Sequence, residues 1–132
     1  MSNIDVMLRG FAAWNAGEID AALELMHPDV EWHTAGLMPD VDDVYRGREG
    51  VRRFWTDFRA PWEWIEIEPH GLTEVGDHVV GAMLFRARGR EDIAVELELG
   101  QVYTVKDGLL ALARSYPTPA EARAAVEREA PA

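Results

Sequence analysis

The chain has 132 residues, 48% of them hydrophobic, which suits one domain with a real core, is too short for two, and excludes disorder. Its formal net charge of -11 argues against binding nucleic acid, whose phosphates require clustered Lys and Arg. Cysteine is absent, which excludes disulfides, thiol catalysis and zinc-thiolate sites.

Ile4, Met7, Leu8 and Phe11 repeat at helical spacing behind a Ser2/Asp5 capping pair, and Gly17 stops this first helix. The opening MSNIDVMLRG has no basic region and no long apolar run, so no signal peptide is expected. Nothing in the chain approaches the roughly 18 consecutive apolar residues of a membrane span, and a soluble cytoplasmic protein is the default expectation. Ile19, Leu23 and Met26 continue the spacing on a short second helix, closed by His27-Pro28, where His27 is placed to stabilise the last carbonyls. A first strand follows, with Trp32 at its centre.

Pro39 and the Asp40, Asp42, Asp43 cluster mark a polar loop before Tyr45. Residues 50–58 read as a third helix with Val51, Phe54, Trp55 and Phe58 on one face. The basic stretch RGREGVRRF, diluted by Glu49, reads as a solvated helix face. Strands are predicted over residues 62–74, 78–88, 93–106 and 109–116, with turns at Gly76-Asp77 and Asp107-Gly108. Thr118-Pro119-Ala120-Glu121 opens a last helix, with Thr as N-cap and Pro at the first helical position. Helices first and a long antiparallel meander afterwards indicate an α+β fold in a single domain, residues 1–132.

Alternation sorts the third long strand into two faces. Ile93, Val95, Leu97, Leu99, Gln101, Tyr103 and Val105 form the face expected to be buried, and Glu96, Glu98, Gly100, Val102, Thr104 and Lys106 form the other. Gln101 and Tyr103 are the polar members of the buried face, so each needs a partner in the protein, in water or in a ligand. On the opposite face the strands carry Val80, Ala82, Leu84, Val102, Leu110 and Leu112. A contiguous apolar patch marks an interaction site, here a homodimer interface, unless the C-terminal helix folds back over it.

The segments WNAGEIDAALELMHPDVEW (14–32), VYRGREGVRRFW (44–55), VGDHVV (75–80) and VYTVKDG (102–108) occur in the order and spacing of a known family. Through them the chain, over roughly residues 4–126, resembles the SnoaL-like polyketide cyclases of the nuclear transport factor 2-like superfamily. The resemblance implies a cystatin-like α+β barrel: a cone-shaped, curved, mixed but mostly antiparallel sheet packed on the N-terminal helices. It also implies a homodimer through the sheet and a cavity for a small apolar molecule. Gly81, Met83, Phe85, Ala111, Ala113 and Ser115 would face that cavity, with Trp32 and Thr34 from the first strand and Phe11, Trp14, Tyr45 and Trp55 from the helices and loop. A solidly filled core is the alternative.

The acid/base sets of characterised relatives have no counterpart here. Positions resembling those of the steroid isomerases are Thr34 for the base, Gly10 for the oxyanion-hole Tyr and Gln101 for its Asp. Those resembling the epoxide hydrolase constellation are Phe85, Met83 and Ser115, beside Trp32 and Thr34, and the cyclases' Asp falls on Ala113. Thr34 cannot act as a base near neutral pH. His33 alternates out of phase with the cavity, His70 and His78 flank a turn, and the four histidines lack ligand spacing such as HExxH. No metal and no cofactor is expected. The substrate-binding candidates are therefore Trp14, Trp32, Thr34, Tyr45, Trp55, Met83, Phe85 and Ser115, with Gln101 and Tyr103 as the catalytic candidates, donating to a carbonyl or enolate oxygen. Three classes of function stay open: an enzyme with a non-standard site, a non-catalytic ligand-binding protein, and a dimerising module.

Overall fold

A computed structural model of the chain describes residues 2–35, 37 and 42–129. Ser2 and Asp5 cap the first helix, α1 (Asn3–Asn15), reciprocally: Asp5 N–H donates to Ser2 Oγ at 3.1 Å, and Ser2 N–H donates to Asp5 Oδ2 at 3.2 Å. The Ser2 hydroxyl and the Ser2 backbone N–H, both beside the Asp5 carboxyl, hold it below its ordinary pKa. The helix buries Val6, Met7, Phe11 and Trp14, one stripe at helical spacing. It ends in a Schellman motif, in which Glu18 N–H donates to the Ala13 carbonyl at 2.9 Å and Gly17 N–H to the Trp14 carbonyl at 3.0 Å. Gly17 sits at φ 78°, a conformation that favours glycine.

The second helix, α2 (Ile19–Glu24), is shorter than its spacing predicts, because Met26 already belongs to strand β1 (Met26–His33). Tertiary partners take the carbonyls that a further helical turn would use. Leu25 accepts from Leu110 N–H at 2.9 Å, and Met26 accepts from the Arg48 guanidinium at 3.0 and 2.6 Å. His27 therefore caps no helix; its Nδ1 accepts from Asp29 N–H at 3.0 Å across Pro28.

Next come β2 (Val44–Arg46), a three-residue strand where a plain loop was expected, α3 (Gly47–Arg59), β3 (Trp62–Val75), β4 (His78–Gly89), β5 (Ala94–Lys106), β6 (Leu109–Tyr116) and α4 (Pro119–Glu129). The strands make one six-stranded sheet in the order β2-β1-β6-β5-β4-β3. Only β1 and β6 pair in parallel. This is the α+β class with a mixed sheet packed on helices. Asn15 guards the β3 edge: its Nδ2 donates to the Ile67 carbonyl at 2.8 Å, and its Oδ1 accepts from Ile67 N–H at 3.0 Å.

Side chains on the inner face of the sheet join α1 and α3 in the main core. The phase assigned from alternation holds along β4 and most of β5, but β6 departs from it. Thr104 pairs with Leu112 and Val105 with Leu110, so Ala111 is an extra residue, a β-bulge. The bulge turns Leu110 inward, where it is 2% exposed, and Leu110 leaves the outer apolar patch. At the other end, Ile93 and Leu97 share the inner phase yet are 58% and 39% exposed, because β5 starts beyond the cover of the helices.

Part of the outer patch is covered within the chain. Ala122 and Val126 of α4 pack on Val80 and Val102. Gly100 makes this approach possible, since a Cβ there would lie 2.8 Å from Ala122 Cβ and closer still to the Thr118 carbonyl. The far end of α4 is tied by Arg114, which donates to both Glu129 oxygens at 2.5 and 2.9 Å. Arg114 accordingly holds the Glu129 carboxyl below its ordinary pKa. Gly100→Val should lift α4 from the sheet: proteolysis is expected within α4 and stability falls by about 1–3 kcal/mol, the usual cost of overpacking. Unchanged protease resistance and unchanged urea unfolding would show that α4 is not seated on Gly100.

Candidate functional site

The strands and helices meet around an aromatic cluster. Trp32 of β1 contacts Phe54 at 5.4 Å, Trp55 at 6.4 Å and Tyr103 at 6.4 Å between ring centroids. Phe54 and Phe58, four residues apart on α3, stack at 5.5 Å, and Phe58 meets Phe85 of β4 at 5.1 Å. Inside this cluster lies a cavity of about 40 Å³, whose lining includes Gly10, Phe11, Trp14, Met26, Trp32, Trp55, Met83, Gln101 and Leu110. A water or two would fill that volume. The interior is thus nearer to the filled core than to a roomy pocket.

A second recess of about 210 Å³ adjoins it between the end of α3 and the start of β5. Pro61, Trp62, Phe85, Val95, Leu97 and Leu99 line this groove, and it shares Phe58 and Met83 with the cavity. Those two side chains form the partition between them. The exposed inner-phase Leu97 lies on the groove, so apolar surface runs from solvent towards the cavity.

The polar content of the interior is one short chain. Tyr103 donates its hydroxyl to Gln101 Oε1, and Gln101 Nε2 donates to Ser115 Oγ at 3.0 Å. Gln101 and Tyr103 are adjacent same-face residues of β5, and β6 brings Ser115 opposite Gln101. Burial raises the Tyr103 phenol far above its ordinary pKa, so it remains a neutral donor. This corrects the expectation that Gln101 and Tyr103 act as a pair of free donors. The Tyr103 hydroxyl is already engaged, and the second Gln101 amide hydrogen is the donor that pair leaves available.

Four expected pocket residues stand elsewhere. Thr34 clasps the following loop, its Oγ1 donating to the Asp42 carbonyl at 2.7 Å and its N–H to the Asp43 carbonyl at 2.8 Å. The Tyr45 hydroxyl accepts from Asp42 N–H at 2.8 Å and donates to Asp57 Oδ2 at 3.1 Å, so the phenol braces the same loop against α3. Burial raises the Tyr45 pKa. Phe85 lies on the groove, and Ser115 sits behind Gln101. Trp14, Trp32, Trp55, Met83 and Gln101 do line the cavity. His33 pairs with Glu31 at 2.9 Å, away from it. Of the acidic loop, Asp42 reaches Arg53 at 3.3 Å, while Asp40 lies outside the described residues.

Two features were missed by the sequence reading. Asp57 falls on the half-buried flank of α3, a place that only the partner Tyr45 makes meaningful. The indole Nε1 atoms of Trp14 and Trp32 are buried without an acceptor among the described residues. Among the described residues, no Asp, Glu, His, Lys or Arg side chain lines the cavity. Among the described residues, no group of three or more His, Asp or Glu could hold a metal ion, and no helix is long and apolar enough to cross a membrane.

Several solved structures share this fold. TerC, co-crystallised with polyporic acid, superposes with TM-score 0.77 and 21% identity, covering 95% of this chain and 98% of that one. RV0760c from Mycobacterium tuberculosis, in complex with estradiol-17beta-hemisuccinate, gives 0.76 and 18%, covering 88% and 94%. A putative SnoaL-like polyketide cyclase from Jannaschia sp. CCS1 gives 0.72 and 20%, covering 98% and 93%. At these identities the likeness concerns the fold alone. No curated protein matches the chain by sequence. The SnoaL-like domain model, however, matches residues 7–113, most of the chain, and the protein belongs to the SnoaL-like domain family.

Proposed function

We propose that this SnoaL-like domain binds a small, neutral, apolar or aromatic molecule between α1, α3 and the inner face of the sheet. The observation that carries the reading is the continuous apolar path from Leu97 through the groove to Met83 and the Trp32 and Gln101 walls of the cavity. Ligand sites of this kind span roughly 300–1,000 Å³. Groove and cavity are each smaller, so one molecule occupies both only if Phe58 and Met83 move. Met83, unbranched and adaptable, is the side chain best suited to that. TerC and RV0760c, similar in fold, were crystallised with polyporic acid and estradiol-17beta-hemisuccinate, which supports a small-molecule site here. Gln101 would meet the ligand, with Tyr103 and Ser115 holding its amide. Ligand binding without acid/base turnover suits a lining that, among the described residues, holds no titratable side chain.

The reading extends to a homodimer through the part of the outer face that α4 leaves open, around Ala82 and Leu84. Beside Leu84, Arg86 sits among Glu66, Glu68 and Glu96 at 3.6, 3.0 and 3.3 Å, a mixed-sign rim that can be self-complementary about a two-fold axis. Sedimentation should find a dimer, and Leu84→Glu should yield monomer; a monomeric wild type removes this part of the reading.

Titration with a neutral apolar dye such as Nile red tests the groove. Leu97→Glu puts a charge at its entrance on an already exposed residue, so affinity should fall about tenfold with urea stability unchanged. Equal affinity in the variant would place the dye elsewhere and overturn the reading.

Affinity for a neutral ligand should be flat between about pH 6 and 9, since no group that titrates there lines the cavity. Stability behaves differently in alkali. The unfolded chain ionises Tyr103 above about pH 10 while the folded chain keeps it protonated, so the unfolded state binds fewer protons and stability falls as pH rises. Tyr103→Phe should flatten that alkaline limb of a urea-stability profile, and a limb of unchanged steepness would contradict the assignment.

A further inference from the structure

The inventory of polar groups around the cavity is one-sided. Trp14 is 3% exposed and Trp32 is 7% exposed; both line the cavity, and both Nε1–H groups lack an acceptor among the described residues. Gln101, 1% exposed, keeps one amide hydrogen beyond the bond to Ser115. All three groups donate. The one strong side-chain acceptor among these residues, Gln101 Oε1, is occupied by the Tyr103 hydroxyl. A buried donor without an acceptor carries its full desolvation penalty, and a bound acceptor atom removes that penalty. Among the described lining residues no cation offsets an anion's desolvation; the Arg59 guanidinium stacks on the Trp14 ring, donates to the Trp14 carbonyl and does not line the cavity.

We propose that Trp14 and Trp32 are specificity-determining residues, whose indole N–H groups select a neutral ligand carrying carbonyl-type acceptor oxygen over its hydrocarbon and anionic counterparts. This rests on the ligand-binding reading above, and the two are separable. Trp14 comes from the last turn of α1 and Trp32 from β1, so the selective donors are held by two different elements. Arg59 fixes the Trp14 wall: its guanidinium lies 4.3 Å from the ring centroid and donates to the Trp14 carbonyl at 2.8 Å. Phe54 and Trp55 fix the Trp32 ring.

The test compares 1-indanone, indane and indane-2-carboxylate by calorimetry on the full chain. 1-Indanone should bind at least tenfold more tightly than the other two. Trp32→Phe and Trp14→Phe keep an aromatic ring and remove the donor, so each should lower indanone affinity about five- to tenfold more than it lowers indane affinity. Nitrogen-15 spectra of the wild type need no variant: of the five tryptophan indoles, two should shift downfield with indanone and stay in place with indane. Equal affinity for indanone and indane overturns the inference while leaving apolar binding intact, as expected if water alone satisfies the indoles. An equal loss of indane and indanone binding in the Phe variants would mark the two tryptophans as packing residues and also overturn it. If neither neutral probe binds the wild type, the ligand-binding reading itself falls.

Discussion

The stretch of β5 from Gly100 to Val105 is buried on both faces, and the rest of the molecule is arranged around that fact. Inward it presents Gln101, Tyr103 and Val105 to the helices; outward it presents Gly100, Val102 and Thr104. Covering the outer side requires α4, and α4 can approach only because Gly100 has no side chain to meet Thr118 and Ala122. Covering the inner side requires polar groups to find partners without water. The Tyr103–Gln101–Ser115 chain meets that need, since an unpaired buried polar group costs on the order of 1–3 kcal/mol.

That arrangement also constrains the chemistry. Donors, aromatic faces and thioethers surround the cavity, and among the described residues no ionisable side chain joins them. A carboxylate in such a place would be strongly destabilised as an anion unless a partner charge or several hydrogen bonds accompanied it. Thr34 and Tyr45 both fasten the segment at Asp42 and Asp43. They act on the structure of the loop and on the seating of α3, through Asp57.

The outer surface follows other rules. Arg86 lies among Glu66, Glu68 and Glu96, and Arg52 bridges Asp20 and Glu49. Exposed pairs of this kind contribute about 0–1 kcal/mol each, so they organise the surface more than they stabilise the fold. The bidentate Arg114–Glu129 contact is the better placed pair, because Arg114 is half-buried and the contact closes the end of α4 over the sheet.

Local signals in the sequence determined the fold class, the capping of α1, the Gly17 stop, the limits of the long strands to within a residue or two, and the placement of Gln101 and Tyr103 on the inner face. Each rests on periodicity or turn chemistry, which a chain carries in neighbouring residues. The sequence could not determine the bulge at Ala111, which depends on how β6 meets β5 and which reverses the side of Leu110. Nor could it decide whether the Val80 and Val102 patch meets a second copy or α4, because alanines carry little apolar bulk and only the close approach at Gly100 makes them sufficient. The end of α2 depended on distant donors, Leu110 and Arg48. Trp32 was legible as a pocket residue, but its unpaired donor was not, since whether a buried N–H finds an acceptor depends on every wall around it. Tertiary packing alone decided that the Tyr103 hydroxyl is engaged, that Tyr45 braces a loop, and that the cavity is small.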